Sequence, residues 1–308
     1  MKFLYLLPIA FYLLPITFGC QPRVLHKDKQ VMMGTFVEVL SPDKDAAAIV
    51  FSEIRRVELL LSKYNPESEI SRLNKTGKLK ASPEIFFILK ECERFWKLSA
   101  GAFDVSVGPL VDLWGFTTKE YYCPKEAGIR EALRLTGFNN IIFNNKDNMI
   151  KFKVRGMRID LGAIAKGYAV DCAVTKLREK GIKSCLINSG GQIHCLGDKF
   201  GEPWRVAIKE PRSNRAADGL KLIDKAVSTS GDYEQFFIKG NKRYHHIINP
   251  HTGYPADSGI LSVTVIADTG LIADALSTSI FILGKVEGLK MAKKIQGVDV
   301  RIIEENPD

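Results

Sequence analysis

The chain has 308 residues, of which 45% are hydrophobic and 26% charged. That balance excludes a disordered or low-complexity protein and is enough for one large core in a two-lobed domain, or for two small domains. The net charge is +9, but Lys and Arg are scattered in short runs such as KDKQ, KGIK and KGNKR. These read as solvated loops and not as a nucleic-acid-binding stripe, although a basic surface suits an anionic ligand or membrane.

The first 20 residues, MKFLYLLPIAFYLLPITFGC, place one Lys before an apolar run and small Gly19 before Cys20. This is the layout of a secretory signal peptide. Its ending resembles the lipoprotein signal box, which implies a signal over residues 1–19, lipidation of Cys20 and a mature domain over residues 21–308. Pro8 and Pro15 interrupt the run, so it is a poor permanent membrane helix. The other cysteines, Cys92, Cys123, Cys172, Cys185 and Cys195, form no CxxC pair. Their spacing argues against zinc, and buried free thiols are the ordinary reading, with one disulfide left open.

Residues 31–40 have strand composition with an early glycine. Ala47, Val50, Ile54, Val57 and Leu61 share one face of an amphipathic helix, which Asn65-Pro66 breaks. A second helix starts at Ser82-Pro83 and ends at Gly101, and a third runs to Gly137. Residues 140–154 read as two short strands around an NKDN turn. A long helix follows over residues 163–180. Strands then dominate: SCLINSGG, PWRVAIK, KAVSTSG, YEQFFIKGNKRYHHII and ILSVTVIA. Helices near 270–282 and 286–295 precede a last strand, VDVRII. Strand runs with unevenly spaced helices indicate an α+β fold.

Several stretches carry chemistry. RIDLGAIAKGYAVD is a strand end, a glycine turn and a helix entry, where Gly162 and Gly167 permit close backbone approach and the helix N-terminus suits an anion. Lys166 there either pairs with a phosphate or is solvated, and the Ala163 carbonyl offers a hard oxygen. RYHHIINPHTGYPAD is a strand and a turn. Alternation puts Tyr244, His246 and Ile248 on one face, which makes His246 the inward imidazole, structural or catalytic. NSGG and STSGDY read as donor-rich turns. Asp104 follows a helix end beside Phe103 and Trp114. In LIADALSTSIF, Asp274, Ser277 and Thr278 fall on one helix face. Two explanations compete there: capping with back-bonding to the helix backbone, or a hard-cation site for Mg²⁺.

In this order, MGTF, SKYNPESEISRLN, AFDVSVGPLVDLWGF, DLGAIAKGYAVD, NSGG, STSGDY, HHIINPHTGYP and ADALST resemble the ApbE family over residues 32–283. That family comprises FAD:protein FMN transferases. The resemblance implies an ApbE/T-fold-like α+β domain with mixed sheets and packed helices. It implies FAD as substrate, Mg²⁺ as cofactor, release of AMP, and a phosphoester of FMN on a Thr or Ser. The acceptor would be an exported electron-transfer protein of the Rnf/Nqr type, and the enzyme would be anchored by lipid on the extracytoplasmic face of the inner membrane. Residue by residue, it implies Mg²⁺ at Asp274, Thr278 and the Ala163 carbonyl, with Ser277 beside it. It implies FAD contacts at Met33, Tyr64, Ala102, Phe103, Asp104, Asp160, Lys166 and Ile248, and His246 as base. A Mg²⁺-dependent FAD pyrophosphatase and a flavin-binding lipoprotein without turnover are the alternatives. Many relatives continue past VRIIEENPD with another strand, so the C-terminal edge is expected to differ.

Overall fold

A computed structural model describes residues 23–213 and 215–305; the leader and Cys20 lie outside them. The strand expected over residues 31–40 is a hairpin. Met33 and Gly34 both take positive φ, 50° and 72°. The chain reverses there, so β1 (His26–Met32) pairs antiparallel with β2 (Thr35–Ser41).

α1 (Ala46–Leu61) buries the face its periodicity indicates, from Ala47 to Leu61. Beyond Asn65-Pro66 the chain does not remain a loop. Ser68 accepts a hydrogen bond from the Ser71 amide and starts α2 (Glu69–Thr76), which stops at Gly77 with φ 68°. β3 (Lys78–Lys80) leads to α3 (Pro83–Leu98), capped by Ser82 as its sequence indicates. α4 (Gly108–Leu113) and α5 (Glu126–Arg134) precede β4 (Ile141–Asn144) and β5 (Met149–Phe152), and β3, β5 and β4 form a small antiparallel sheet.

α6 (Ala165–Glu179) opens the second half. NSGG is the turn between β6 (Cys185–Ser189) and β7 (Gln192–Leu196). β8 (Trp204–Lys209) and β9 (Ala216–Leu222) form a separate hairpin. STSG is no turn but the end of β10 (Lys225–Gly231). β11 (Phe236–Lys239), β12 (Lys242–His245) and β13 (Ile260–Ala267) follow, then α7 (Gly270–Leu283), α8 (Lys285–Ala292) and β14 (Asp299–Glu304). The main sheet has the order β1-β2-β6-β7-β10-β13-β14, so β14 is one edge. One continuous core joins this sheet, α1, α3, α6, α7 and the small sheet. Cys185 faces that core, while Cys195 faces the β8–β9 hairpin on the other side. All five described cysteines are free thiols. Among the described residues no helix is long and apolar enough to cross a membrane.

α6 and α7 cross at two glycines. A Cβ on Gly167 would lie 2.2 Å from the Gly270 carbonyl oxygen, and one on Gly270 would lie 2.6 Å from that of Gly167. One turn along α6, Asp171 accepts the Gly270 and Leu271 amides at 2.6 and 2.8 Å. It thereby caps α7 together with Thr269, which takes the Ile272 amide. Gly167→Ala must push the backbones apart, and overpacking of this kind costs about 1–3 kcal/mol. The expected outcome is a lower urea midpoint with an unchanged m-value.

Candidate active site

The site is built around the turn that enters α6. Its approach is rigid: Asn74 binds both the carbonyl and the amide of Ile159, at 2.9 and 2.7 Å, and the Asp160 amide donates to the Val105 carbonyl at 2.7 Å. Asp160 then turns the chain by accepting the Gly162 amide on Oδ1 at 2.8 Å. Its Oδ2 takes Lys63 Nζ at 2.6 Å. Burial alone would lower the Lys63 pKa, but the charge and hydrogen bond of Asp160 outweigh it and hold the pKa above its usual value.

The next link joins this turn to α7. In a regular helix the Gly167 amide would return to the Ala163 carbonyl. Here it donates to Asp274 Oδ2 at 3.0 Å. Among the described residues no donor reaches the Ala163 carbonyl. Asp274 is 4% exposed, and its Oδ1 accepts from Ser228 Oγ at 3.3 Å. Ser228 and Ser230 alternate along β10 toward α7. Ser230 Oγ lies 2.9 Å from Ser277 Oγ and 3.2 Å from Thr278 Oγ1, and Ser277 also donates to the Asp274 carbonyl at 3.0 Å.

The capping and back-bonding explanation of the α7 face finds its counterpart. Ser277 does back-bond. Asp274 does cap a helix, but α6 instead of its own. Capping leaves a balance of charge: a helix N-terminus supplies about half an elementary charge, and among the described residues no Lys, Arg or His pairs with Asp274. No group of three or more His, Cys, Asp or Glu is arranged to hold a metal among them. The donors are one carboxylate, hydroxyls and an unbonded carbonyl, all hard oxygens. That set fits Mg²⁺ and does not fit zinc.

Alternation holds through the two histidines, with Tyr244, His246 and Ile248 against Trp114 and Phe116 and with His245 and Ile247 against the main core, but the face it gives His246 is the less buried one. β12 ends at His245, and it is His245 that points inward. Its Nε2–H donates to the Ala256 carbonyl at 2.9 Å, Nδ1 accepts the Ile247 amide at 3.3 Å, and the ring meets Phe281 edge-on at 5.3 Å. His246 is half-buried, its ring edge-on to Phe116 at 6.4 Å. Its Nδ1 is 3.3 Å from the Gln235 carbonyl. That contact requires the Nδ1–H tautomer and leaves the Nε2 lone pair free. Desolvation, with repulsion from His245 and Lys166, lowers its pKa to about 4. Lys166, in turn, reaches the Gly162 carbonyl at 3.4 Å.

The remaining expected contacts divide. Tyr64 is 67% exposed, with the Lys63 ammonium over its ring at 5.3 Å. Ala102 and Phe103 are buried as whole residues, backbone included. The Asp104 carboxylate is already engaged by the Ser106 amide, the Ser106 hydroxyl and the Phe138 amide at 2.8, 2.6 and 2.9 Å; burial raises its pKa against those bonds. Ile248 is buried with Trp114 and Phe116, and the Trp114 indole donates to the Gly253 carbonyl at 2.8 Å. Met33 stands apart: its amide is tied to Glu58 at 2.7 Å. Sequence reasoning missed Lys63, Asp171, Ser228 and Ser230. The two serines carried a signal, their alternation within STSG.

The model of the ApbE family matches residues 33–302. The chain belongs to the ApbE family. An FAD:protein FMN transferase of Klebsiella pneumoniae (strain 342) is 33% identical over 285 residues, covering 90% of this chain and 89% of that one. One from Escherichia coli K12 is 30% identical, covering 94% and 90%. Among solved structures, the ApbE protein of Thermotoga maritima is 33% identical with a TM-score of 0.84, covering 91% of this chain and 94% of that one. The flavin transferase ApbE of Vibrio cholerae is 29% identical with a TM-score of 0.82, covering 92% and 95%. The mixed α+β architecture is thus that of the ApbE family.

The depressed pKa of His246 has a definite sign. Between pH 6.5 and about 4 the unfolded chain takes a proton that the folded ring refuses, so His246 subtracts stability as pH falls through that window. Above pH 6.5 it contributes nothing either way. An NMR titration of its ring should show a midpoint near 4, with the neutral Nδ1–H tautomer at pH 7.

Proposed function

We propose that this chain transfers FMN from FAD to a Thr or Ser hydroxyl of an exported acceptor protein and releases AMP. Membership of the ApbE family and the names of its relatives support the reaction class. The observation that carries the reading is the bond from the Gly167 amide to Asp274 Oδ2, which ties the entry of α6, with Lys166 beside it, to the oxygen-rich face of α7.

His246 Nε2 takes the proton of the incoming hydroxyl. The hydroxyl oxygen attacks the FMN-side phosphorus, the bond to the AMP oxygen breaks, and AMP leaves with that electron pair. Asp274, Thr278 and the Ala163 carbonyl would hold Mg²⁺, with Ser277 alongside, and when bound it neutralises the diphosphate and stabilises the leaving group. Lys166 adds a positive charge on the same turn. Acceptors of the Rnf/Nqr electron-transfer type fit an exported enzyme. The leader ending in Gly19-Cys20 supports anchoring by lipid to the extracytoplasmic face of the inner membrane.

Incubation with FAD and Mg²⁺, with and without acceptor, tests the reaction. Protein-bound FMN together with AMP is the expected result; AMP and free FMN without acceptor would make water the acceptor, and intact FAD would contradict turnover. His246→Ala should cost about 10²–10⁴-fold in rate. Asp274→Ala should abolish turnover. Thr278→Val should raise the Mg²⁺ requirement and be partly rescued by more Mg²⁺, because it loses a neutral oxygen and not the charged one.

The anchor has its own test. Cys20→Ala should move the protein out of the membrane fraction, and retention with the leader attached would point to an uncleaved anchor.

A further inference from the structure

Lys63 sits where three segments converge. It follows α1, and its Nζ meets Asp160 Oδ2 at 2.6 Å, Thr117 Oγ1 at 2.8 Å and Asp112 Oδ1 at 3.8 Å. Asp160 and Thr117 take two hydrogen bonds from the ammonium, and Asp112 stands at ion-pair distance. Asp112 is held from its other side by Arg158, whose Nε and second guanidinium nitrogen reach Oδ2 at 2.9 and 2.8 Å. Thr117 donates to Asp112 and closes the network. The Lys63 side chain is 15% exposed, so solvent screens the pair poorly.

Lys63, Asp112, Thr117 and Arg158 line a cleft of about 390 Å³ beside the exposed Tyr64 ring, with Asn74, Lys75 and Gly108 on its other walls. With Asp160 behind Lys63, the carboxylates of Glu67, Asp112 and Asp160 balance the cations Lys63, Lys75 and Arg158. Take away Lys63 and the balance tips negative, beside a turn that an anionic diphosphate must approach. Asp160 Oδ2 would also lose its partner and be free to swing from the position that turns the chain at Gly162.

We infer that Lys63 is a positioning residue for FAD: it fixes the Asp160 carboxylate and cancels its charge, and so sets FAD affinity without touching the reacting atoms. This rests on the proposed function only in naming FAD as the ligand. An interaction made equally in ground and transition states changes KM and leaves kcat alone.

The test is flavin-fluorescence titration with FAD and Mg²⁺, alongside kcat and KM for AMP release. Lys63→Met should weaken FAD binding and raise KM about 10-fold, with kcat within about threefold. Lys63→Arg keeps the charge and should recover affinity to within about threefold of the unaltered protein. Thr117→Val removes one acceptor and should give a smaller loss of affinity, a readout that stands even if Lys63→Met does not fold. Full FAD affinity in Lys63→Met or Thr117→Val overturns the inference. So does equal damage in Lys63→Met and Lys63→Arg, which would mean that shape and not charge matters. If the unaltered protein binds FAD without releasing AMP, the proposed function fails while the affinities still decide the role of Lys63. If it does not bind FAD, both fail.

Discussion

Two helices cap each other, and the site depends on that exchange. Asp171 of α6 takes the first amides of α7, and Asp274 of α7 takes an early amide of α6. The exchange works because Gly167 and Gly270 let the backbones approach to a distance that any Cβ would forbid. N-capping bonds are each worth about 0.5–2 kcal/mol, so the crossing is held at both ends by local bonds as well as by burial. The arrangement draws a carboxylate inward, to 4% exposure, and diverts the amide that would otherwise occupy the Ala163 carbonyl. The hydrogen bond that locks α6 to α7 thus also leaves the Ala163 carbonyl oxygen unbonded among the described residues.

Charge is distributed around that crossing so that each group keeps the form it needs. The Lys63–Asp160 and Arg158–Asp112 pairs neutralise one wall. Ser228 reaches the Asp274 carboxylate, and a chain of hydroxyls, Ser277, Ser230 and Thr278, continues from it without adding charge. His246 stays neutral because desolvation, His245 and Lys166 all oppose its protonation. An anionic ligand next to Lys166 offsets part of that repulsion and makes the ring a stronger base.

Legibility in the sequence followed the range of the interaction. α1 and α3 were readable because their buried faces repeat every three to four residues and Ser82-Pro83 marks a start. α2 and α4 span only eight and six residues, too short for a period to declare itself, and the β1–β2 turn is disguised by Met33, a non-glycine at positive φ. The oxygens of Asp274, Ser277 and Thr278 could be read as a face, but not the use of Asp274, since its amide partner lies 107 residues away. The Lys63, Asp112, Thr117 and Arg158 network is equally non-local. Alternation sorted the histidines onto their two faces correctly, but not which face is the deeper one, because that depends on Phe281 and Ala256, elements remote from β12.

The central claim is that Asp274 is both the cap of α6 and the charged ligand of Mg²⁺. Asn caps a helix about as well as Asp but offers a cation no charge. The decisive measurement is therefore thermal unfolding of the unaltered protein and of Asp274→Asn across a Mg²⁺ titration. Without Mg²⁺ the two should agree within about 1 kcal/mol, and added Mg²⁺ should raise the melting temperature of the unaltered protein alone. An equal rise in Asp274→Asn would contradict the account.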